Sequence, residues 1–185
     1  MTRIRWWSWL VVCSAMALGV VGVDRAGSSA ATRQAKADRV GLGVGYRPPS
    51  FSASDLNGQT QSLKEYEGKV LVLHFWASWC PYCRGEISKL RELQERWTSR
   101  GVRVLAVSTD QDPEVLKQFV TQQGLPYPII VDAQTESSVA DQYGISGIPV
   151  TYVIARDGRI FARLSGTSDI VGTVQHALGT SPSGS

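Results

Sequence analysis

Cysteine and histidine are scarce in this chain, whose 185 residues include three Cys and two His. A structural zinc site needs four ligands, and beyond residue 45 the available thiols and imidazoles are Cys80, Cys83, His74 and His176. Neither histidine stands in the paired spacing of a zinc motif, so the sequence disfavours a bound metal. Length is limited as well, since 185 residues make one domain with little left for a second.

An excess of charge of one sign is also missing from the main part of the chain. The net charge is +3, but residues 1–45 carry six Lys or Arg against two Asp, and residues 46–185 carry 13 basic against 14 acidic side chains. Nucleic-acid binding requires basic side chains clustered on one face of a folded domain. The composition therefore argues against a nucleic-acid partner. A content of 43% hydrophobic and 19% charged residues is typical of a globular domain.

The basic residues at the N-terminus belong to a targeting segment. Arg3 and Arg5 precede an uncharged apolar run over residues 6–23, which suits either a signal peptide or an uncleaved anchor in the inner membrane. Both alternatives place the rest of the chain outside the cytoplasm, in the periplasm or cell envelope, membrane-anchored or secreted. Cys13 lies mid-run without a small residue before it, which disfavours a lipoprotein signal. Residues 24–45, rich in Ala, Gly, Ser and Arg, are predicted to form a flexible tether.

Strands and helices alternate along residues 46–178, which are predicted to form one α/β domain, followed by a disordered tail at residues 179–185. A turn at residues 55–58 belongs to a short N-terminal hairpin, and a one-turn helix follows near Leu63 to Tyr66. The later elements are predicted from apolar periodicity and turn signals: strand Val70–Trp76, helix Pro81–Arg100, strand Val102–Ser108, helix Asp112–Gln123, strand Tyr127–Val131, helix Glu136–Tyr143, strands Val150–Ala155 and Arg159–Leu164, and helix Asp169–Leu178. The βαβ units imply a parallel core, and the short last connection makes the final strand pair antiparallel.

The sequence Trp-Cys-Pro-Tyr-Cys at residues 79–83 lies where a buried strand gives way to a helix. Cys80 is predicted to be the N-cap and Pro81 the first helical residue, so that first-turn amides and the helix dipole stabilise a thiolate on Cys80. This makes Cys80 the predicted nucleophile. Cys83 lies on the same helix face, close enough to act as the resolving thiol and to close a redox-active Cys80–Cys83 disulfide. A purely structural bridge is the alternative, although so short a loop removes little entropy from the unfolded chain.

These features resemble the thioredoxin superfamily, and more narrowly the exported TlpA/ResA/DsbE-like thiol-disulfide oxidoreductases. The resemblance covers residues 46–178. It rests on stretches that match that family in order, namely Asp55–Gly58, Phe75–Arg84, Gly147–Pro149 and Asp157–Gly158. It implies a thioredoxin-like α/β fold with an N-terminal hairpin extension, a central αβ insertion at residues 112–131, and a mixed sheet flanked by helices. It also implies a cis peptide bond between Ile148 and Pro149, a bond type that sequence patterns alone cannot predict.

The same resemblance implies roles for residues around the two cysteines. It implies that Glu86 assists the resolving thiol Cys83, whereas the spacing alone is typical of a solvated helix charge. His74 takes the position of a buried Asp or Asn in relatives, where a neutral core histidine and a proton-transfer group are both consistent with the sequence. The predicted substrate-docking residues flank the cysteines, and they are Trp79, Pro81, Tyr82, Ile148 and Pro149.

The predicted function is thiol-disulfide exchange with protein substrates outside the cytoplasm, as a reductant, for example in cytochrome c or copper-site maturation. The resemblance implies a membrane electron-transfer partner of the DsbD/CcdA type, and no cofactor is expected. A thiol peroxidase of the peroxiredoxin type is one alternative, but it needs a Thr three residues before the reactive cysteine, where this chain has Ala77. A copper-binding chaperone module that holds Cu(I) on Cys80 and Cys83 is the other alternative.

Overall fold

A computed structural model of the chain describes residues 39–179. The predicted leader at residues 6–23, Cys13 and the predicted tail beyond residue 179 lie outside the described residues. The described part contains seven strands and five α-helices: β1 (Ser52–Ser54), β2 (Thr60–Ser62), β3 (Val70–Trp76), α1 (Pro81–Arg84), α2 (Ile87–Arg96), β4 (Val102–Ser108), α3 (Pro113–Gln123), β5 (Ile129–Val131), α4 (Val139–Gln142), β6 (Val150–Ile154), β7 (Ile160–Ser165) and α5 (Ile170–Gly179). Short 3₁₀ turns cover Leu63–Tyr66, Thr98–Arg100 and Asp132–Gln134. None of these described helices is long and apolar enough to cross a bilayer.

The strand β3 lies at the centre of a five-stranded mixed sheet with the order β5-β4-β3-β6-β7. It pairs in parallel with β4, and β4 pairs in parallel with β5, whereas β6 is antiparallel to both β3 and β7. All seven residues of β3 are buried, as expected for an apolar run that forms a strand covered on both faces. The predicted mixed sheet flanked by helices is confirmed.

Successive side chains of β3 alternate between two apolar clusters, one on each face of the sheet. On the first face, Val72 packs in a cluster with Leu90 of α2 and Val174 of α5, and this cluster also contains Cys80 and Cys83. The second face carries an aromatic cluster that includes Phe75, Tyr143 and Tyr152. The two cysteines therefore share a face of the sheet with α2 and α5.

The helix that follows the cysteine motif is interrupted. The sequence predicts one helix over Pro81–Arg100, and this prediction is wrong, because α1 and α2 are separate helices and a 3₁₀ turn follows them. Gly85 and Glu86 form the break, where the Glu86 amide donates to Cys83 O at 3.0 Å instead of to the carbonyl four residues back. Glycine is a poor helix former, so the break in the helix at this point costs little free energy. The break leaves the Glu86 side chain buried.

The segment before the sheet forms the predicted hairpin extension. β1 and β2 pair antiparallel across the turn at residues 55–58, where Gly58 has a φ of 76° that favours glycine. Asp55 is buried, and its carboxylate accepts two amides of this turn. Asp55 also forms an antiparallel bridge with Ile130. The hairpin is thereby attached to the outer strand β5.

The predicted central insertion is formed by α3 and β5. Asp112 caps α3, because its carboxylate accepts two amides of the first turn at 2.9 and 3.2 Å. Gly124 ends the helix with left-handed backbone angles. The next helix, α4, is shorter than the helix predicted over residues 136–143, because Ser138 acts as its N-cap and accepts an amide of the first turn.

Gly45, the last residue of the predicted tether, and Tyr46 contact β7. The Gly45 amide donates to Ile160 O at 2.8 Å, and the Ile160 amide donates to Tyr46 O at 2.9 Å. At the other end of the domain, α5 extends to Gly179, the first residue of the predicted tail. Regular contacts therefore extend beyond both predicted domain boundaries.

Candidate active site

Cys80 lies in the turn between β3 and α1, near the carboxyl ends of the parallel strands β3 and β4. It has extended backbone angles, φ −83° and ψ 114°, and its Sγ accepts the Cys83 amide at 3.3 Å. Pro81 follows at the first helical position, where its missing N–H would have had no helical partner. The predicted N-cap position of Cys80 is confirmed.

The two thiols of the motif differ in their surroundings. Cys80 is 4% exposed and Cys83 is 0% exposed, and neither is in a disulfide. Burial raises the pKa of the Cys83 thiol, and the hydrogen bond with Cys80 and the Glu86 charge act in the same direction. Cys83 therefore needs a proton acceptor before it can act as a nucleophile, because the thiolate is the reactive form.

Two aromatic side chains beside Cys80 extend into solvent. Trp79 is 63% exposed and Tyr82 is 69% exposed, and Pro81 between them is exposed as well. Large apolar side chains that are exposed together mark contact surfaces more often than isolated ones do. The structure thus gathers these three predicted docking residues on one accessible turn.

The peptide bond between Ile148 and Pro149 is cis, as the family resemblance implies. Pro149 is buried directly before β6, and its carbonyl accepts the Gly166 amide at 3.0 Å. Ile148 is half-buried and packs against the cluster that contains Cys80 and Cys83. Of these two predicted docking residues, Ile148 therefore lies against the cysteine cluster.

His74 and Glu86 are brought together in the interior. His74 stands opposite Thr151 of β6 in the antiparallel register, and its Nδ1 lies 2.9 Å from Thr151 Oγ1 in a hydrogen bond. The same Nδ1 lies 4.0 Å from Glu86 Oε2, and both side chains are 1% exposed. The structure therefore pairs the two residues whose roles the sequence leaves open.

Burial controls the protonation of this pair. It lowers the pKa of His74 to about 3, so the imidazole is neutral at pH 7. It raises the pKa of Glu86, although the Lys89 ammonium and the Ser168 amide act in the opposite direction. A neutral imidazole and a carboxyl group with a raised pKa can together hold one proton. Neither side chain then has to remain as a stable ion in the interior.

Buried polar atoms without a hydrogen-bond partner concentrate around the cysteines. Within residues 39–179 they are His74 Nε2, Trp76 Nε1 and the two carboxyl oxygens of Glu86. His74 and Trp76 precede the cysteine turn in β3, and Glu86 follows it. Unsatisfied buried groups are uncommon in native proteins, and each one calls for an explanation such as a catalytic role.

The sequence analysis missed a second buried carboxylate, Asp110, which lies two residues beyond β4. It accepts hydrogen bonds from the Ser78 amide at 2.8 Å, the Ser78 hydroxyl at 2.6 Å and the Ser108 hydroxyl at 2.5 Å. One sequence signal could have found it, since functional residues of open α/β sheets gather beyond the carboxyl ends of the strands. His176, in contrast, is exposed on α5.

Metal ligands do not gather in the part of the chain that the structure describes. No group of three His, Cys, Asp or Glu side chains there could hold an ion.

Comparisons with known proteins agree with this site. The sequence profile of the AhpC/TSA family matches residues 44–163. The thiol-disulfide oxidoreductase ResA of Geobacillus thermodenitrificans is 31% identical over 145 residues, which cover 78% of this chain and 82% of that protein. The ResA protein of Halalkalibacterium halodurans is 34% identical over 124 residues, covering 67% of this chain and 69% of that protein. A thiol:disulfide interchange protein of the thioredoxin family from Chlorobium tepidum superimposes with a TM-score of 0.63 at 28% identity, covering 72% of this chain and 96% of its own.

Proposed function

This chain belongs to the AhpC/TSA family and is a thioredoxin-like thiol-disulfide oxidoreductase, and we propose that Cys80 and Cys83 are its redox-active pair. The observation that carries the proposal is the hydrogen bond of 3.3 Å from the Cys83 amide to Cys80 Sγ. It places one sulfur at the start of a helix and a second, buried thiol in the first turn. Such an arrangement supports a cycle in which one thiol attacks and the other resolves.

In the first step, the Cys80 thiolate attacks one sulfur of a substrate disulfide. A bond forms between Cys80 and the substrate, the substrate's own S–S bond breaks, and its second sulfur leaves as a thiolate. Trp79 and Tyr82 offer exposed apolar area to the substrate beside Cys80. Ile148 packs against the apolar cluster that contains Cys80. Its backbone suits pairing with an extended substrate segment. These contacts favour a protein disulfide as the substrate.

In the second step, Cys83 attacks the Cys80 sulfur and releases the reduced substrate. Cys83 must first lose its proton, which burial opposes. Glu86 accepts this proton, and His74 shares it, since His74 Nδ1 lies 4.0 Å from Glu86 Oε2. The thiolate charge leaves with the substrate sulfur, so no charge on Cys83 persists once the internal disulfide has formed.

The buried surroundings of the motif favour action as a reductant. A disulfide oxidoreductase is strongly oxidising when its reduced form is stabilised, as in enzymes with a stable thiolate. Burial and the Glu86 charge keep Cys83 protonated, so no thiolate on Cys83 stabilises the reduced form and makes the protein a strong oxidant. The proposed substrates are therefore oxidised cysteines of other proteins, including those that must be reduced for cytochrome c or copper-site maturation.

The proposed place of action is outside the cytoplasm. Arg3, Arg5 and the apolar run at residues 6–23 support an exported chain, either cleaved or anchored in the inner membrane. Each turnover as a reductant leaves Cys80 and Cys83 oxidised, so continued action there requires electrons from a membrane partner of the DsbD/CcdA type. Cell fractionation, with protease digestion of intact spheroplasts, tests the location. A protease-protected cytoplasmic chain would contradict it.

Trapping of the mixed disulfide tests the proposed cycle. The full chain with Cys83→Ser should accumulate a covalent complex with an oxidised protein such as insulin, because the first attack proceeds and resolution cannot. Cys80→Ser should form no complex and should lose insulin reduction with dithiothreitol as the electron source. Cys13→Ser removes the third cysteine of the chain and should change neither result. Full turnover in both motif variants would overturn the proposal.

Parallel assays separate this function from two others. A thiol peroxidase would consume hydrogen peroxide, and Ala77 stands where such an enzyme needs Thr. A copper chaperone would bind Cu(I) between Cys80 and Cys83 without exchanging disulfides. Peroxide consumption that outpaces insulin reduction, or copper binding with no exchange activity, would replace the proposal.

A further inference from the structure

Ser78 is one of the two central residues of the turn from Ala77 to Cys80, and all three of its backbone and side-chain polar groups are bonded. Its amide and hydroxyl donate to the Asp110 carboxylate at 2.8 and 2.6 Å. Its carbonyl accepts Nε of Arg84 at 2.6 Å. The Cys80 amide closes the turn by donating to Ala77 O at 3.2 Å. The position of this turn, and so of Cys80, depends on what holds Ser78.

Contacts with the sheet hold Asp110 in place independently of the turn that it binds. It is 3% exposed, its carboxylate accepts the Ser108 hydroxyl at 2.5 Å, and its amide donates to Ser108 Oγ at 3.1 Å. Thr109 donates its amide to Trp76 O at 2.9 Å, which extends the parallel pairing of β3 and β4. The carboxylate is therefore a fixed reference point for the turn.

Arg84 holds Ser78 through its carbonyl. Its guanidinium lies over the Phe119 ring of α3, 5.1 Å from the centroid. The Phe119 ring in turn lies 5.8 Å from the ring of Trp76, centroid to centroid. Asp110 directly follows β4 and Phe119 belongs to the central insertion, so the chain between β4 and β5 supports the cysteine turn at two points.

We propose that Asp110 is a positioning residue that holds Ser78 and thereby orients Cys80 for the first attack, a proposal that rests on Cys80 being the nucleophile. In that attack Cys80 Sγ bonds to one substrate sulfur, and the other sulfur leaves with the electron pair and takes a proton from water. Asp110 touches none of these atoms. The attacking sulfur must be aligned with the S–S bond, and a displacement of about 1 Å can slow such a step by about 100-fold.

The test isolates the first attack by using the full chain, in mild detergent, with Cys83→Ser in every variant. Asp110→Asn keeps the side-chain size but replaces one accepting oxygen by a donating amide, so a serine hydroxyl must turn from donor to acceptor for all three contacts to persist, and these contacts lose the negative charge that strengthens them. We expect mixed-disulfide formation, followed by stopped flow, to slow by about tenfold. The plot of its rate against pH should reach a lower plateau at high pH, and the midpoint of this plot should not shift. Ser78→Ala loses only the hydroxyl bond and should slow the attack less.

A double variant distinguishes action through Ser78 from independent effects. If Asp110 acts through Ser78, the variant with both substitutions should be no slower than Asp110→Asn alone, because the two side chains act through one contact. Should Asp110→Asn fail to fold, Ser78→Ala alone decides the matter by its effect on the first attack.

Asp132→Asn is the matched control. Asp132 also accepts a serine hydroxyl, from Ser138 at 2.6 Å, and a backbone amide, from Val139 at 2.7 Å, but at the start of α4. It should lower the unfolding midpoint without slowing the first attack. An unchanged attack in the Asp110 variant, equal slowing in the control, or multiplicative effects in the double variant would overturn the proposal. If the chain with Asp110 intact exchanges no disulfides, the proposed function fails and this proposal with it.

Discussion

His74 Nδ1 lies 4.0 Å from Glu86 Oε2, and the two residues reach this distance from different elements, β3 and the break between α1 and α2. Within residues 39–179, His74 Nε2 and both Glu86 oxygens lack a hydrogen-bond partner. Thr151 fixes the imidazole by its bond to Nδ1. The Lys89 ammonium and the Ser168 amide also act on Glu86, but the pair is otherwise poorly hydrogen-bonded, which suits it to hold a proton that leaves Cys83.

We predict that His74→Asn slows resolution of the mixed disulfide and leaves the first attack unchanged. Asn can still bond to Thr151, but it lacks a basic nitrogen to share the Cys83 proton. The loss should be about tenfold or more at pH 7. Stopped-flow fluorescence separates the two steps, and His176→Asn, at an exposed histidine, is the control. Equal resolution rates in wild type and His74→Asn would make His74 a core residue only.

Burial of His74 should also lower the free energy of unfolding at acid pH. The folded chain keeps His74 neutral down to about pH 3, whereas the unfolded chain protonates it near the ordinary pKa of 6.5. The unfolded state therefore binds more protons in this range, and the free energy of unfolding falls as pH drops below 6.5, by about 2 kcal/mol at pH 5 from this residue. Urea denaturation should show a shallower acid loss in His74→Asn. Parallel pH profiles would contradict the prediction.

Glu86 should contribute with the opposite sign. Burial raises the pKa of Glu86, so at pH values between the unfolded and the folded pKa the folded state binds more protons than the unfolded chain, and stability is lost as pH rises through the folded pKa. Glu86→Gln should therefore gain stability relative to wild type between pH 4 and pH 7, while it slows resolution. Urea denaturation at both pH values measures the gain. Glu92→Gln, at an exposed pair with Arg96, should show no such trend, and a pH-independent difference for Glu86→Gln would refute the prediction.

The two thiols should react with iodoacetamide at different rates. Cys83 is fully buried and burial raises the pKa of its thiol, so it should label at least tenfold more slowly than Cys80 at pH 7 and gain most as pH rises. Peptide mass spectrometry of the reduced protein gives both rates. In denaturant the difference should disappear. Equal labelling of the native thiols would show that Cys83 is accessible, against the arrangement described above.

Truncation of the exposed aromatics should separate protein from small substrates. Trp79→Ala and Tyr82→Ala should each slow insulin reduction severalfold, because they remove exposed area beside Cys80, and should leave a small disulfide such as oxidised glutathione unaffected. Stability should change by about 0.5 kcal/mol or less, since both side chains are exposed. Val115→Ala, which also removes exposed apolar area, is the control. Equal slowing with both substrates would contradict a docking role.

Local signals in the sequence were sufficient for much of the fold. The strand Val70–Trp76 has the predicted limits, because a long apolar run between turn residues has few other interpretations. The N-cap position of Cys80 was likewise predictable, since it depends only on Pro81 and on the residues of one turn. The break at Gly85 was not predicted, because a single glycine within an otherwise regular apolar stripe lowers helix stability only modestly.

Sequence patterns could not predict contacts between residues that are distant along the chain. Asp110 meets Ser78 across 32 positions of the chain, and the bond between His74 and Thr151 spans 77 positions. The first needs the end-to-end alignment of β3 with β4, and the second needs the exact antiparallel register of β3 with β6. A shift of one residue in that register would place Thr151 on the opposite face of the sheet.

The chain before residue 67 protects the outer strands of the sheet. Leu56 donates its amide to Ile129 O in β5, while Gly45 and Tyr46 bond to Ile160 in β7. These contacts occupy backbone groups at both outer strands of the sheet, which would otherwise be templates for strands of other molecules. Removal of this N-terminal segment should expose these backbone groups, and self-association of the protein should then rise.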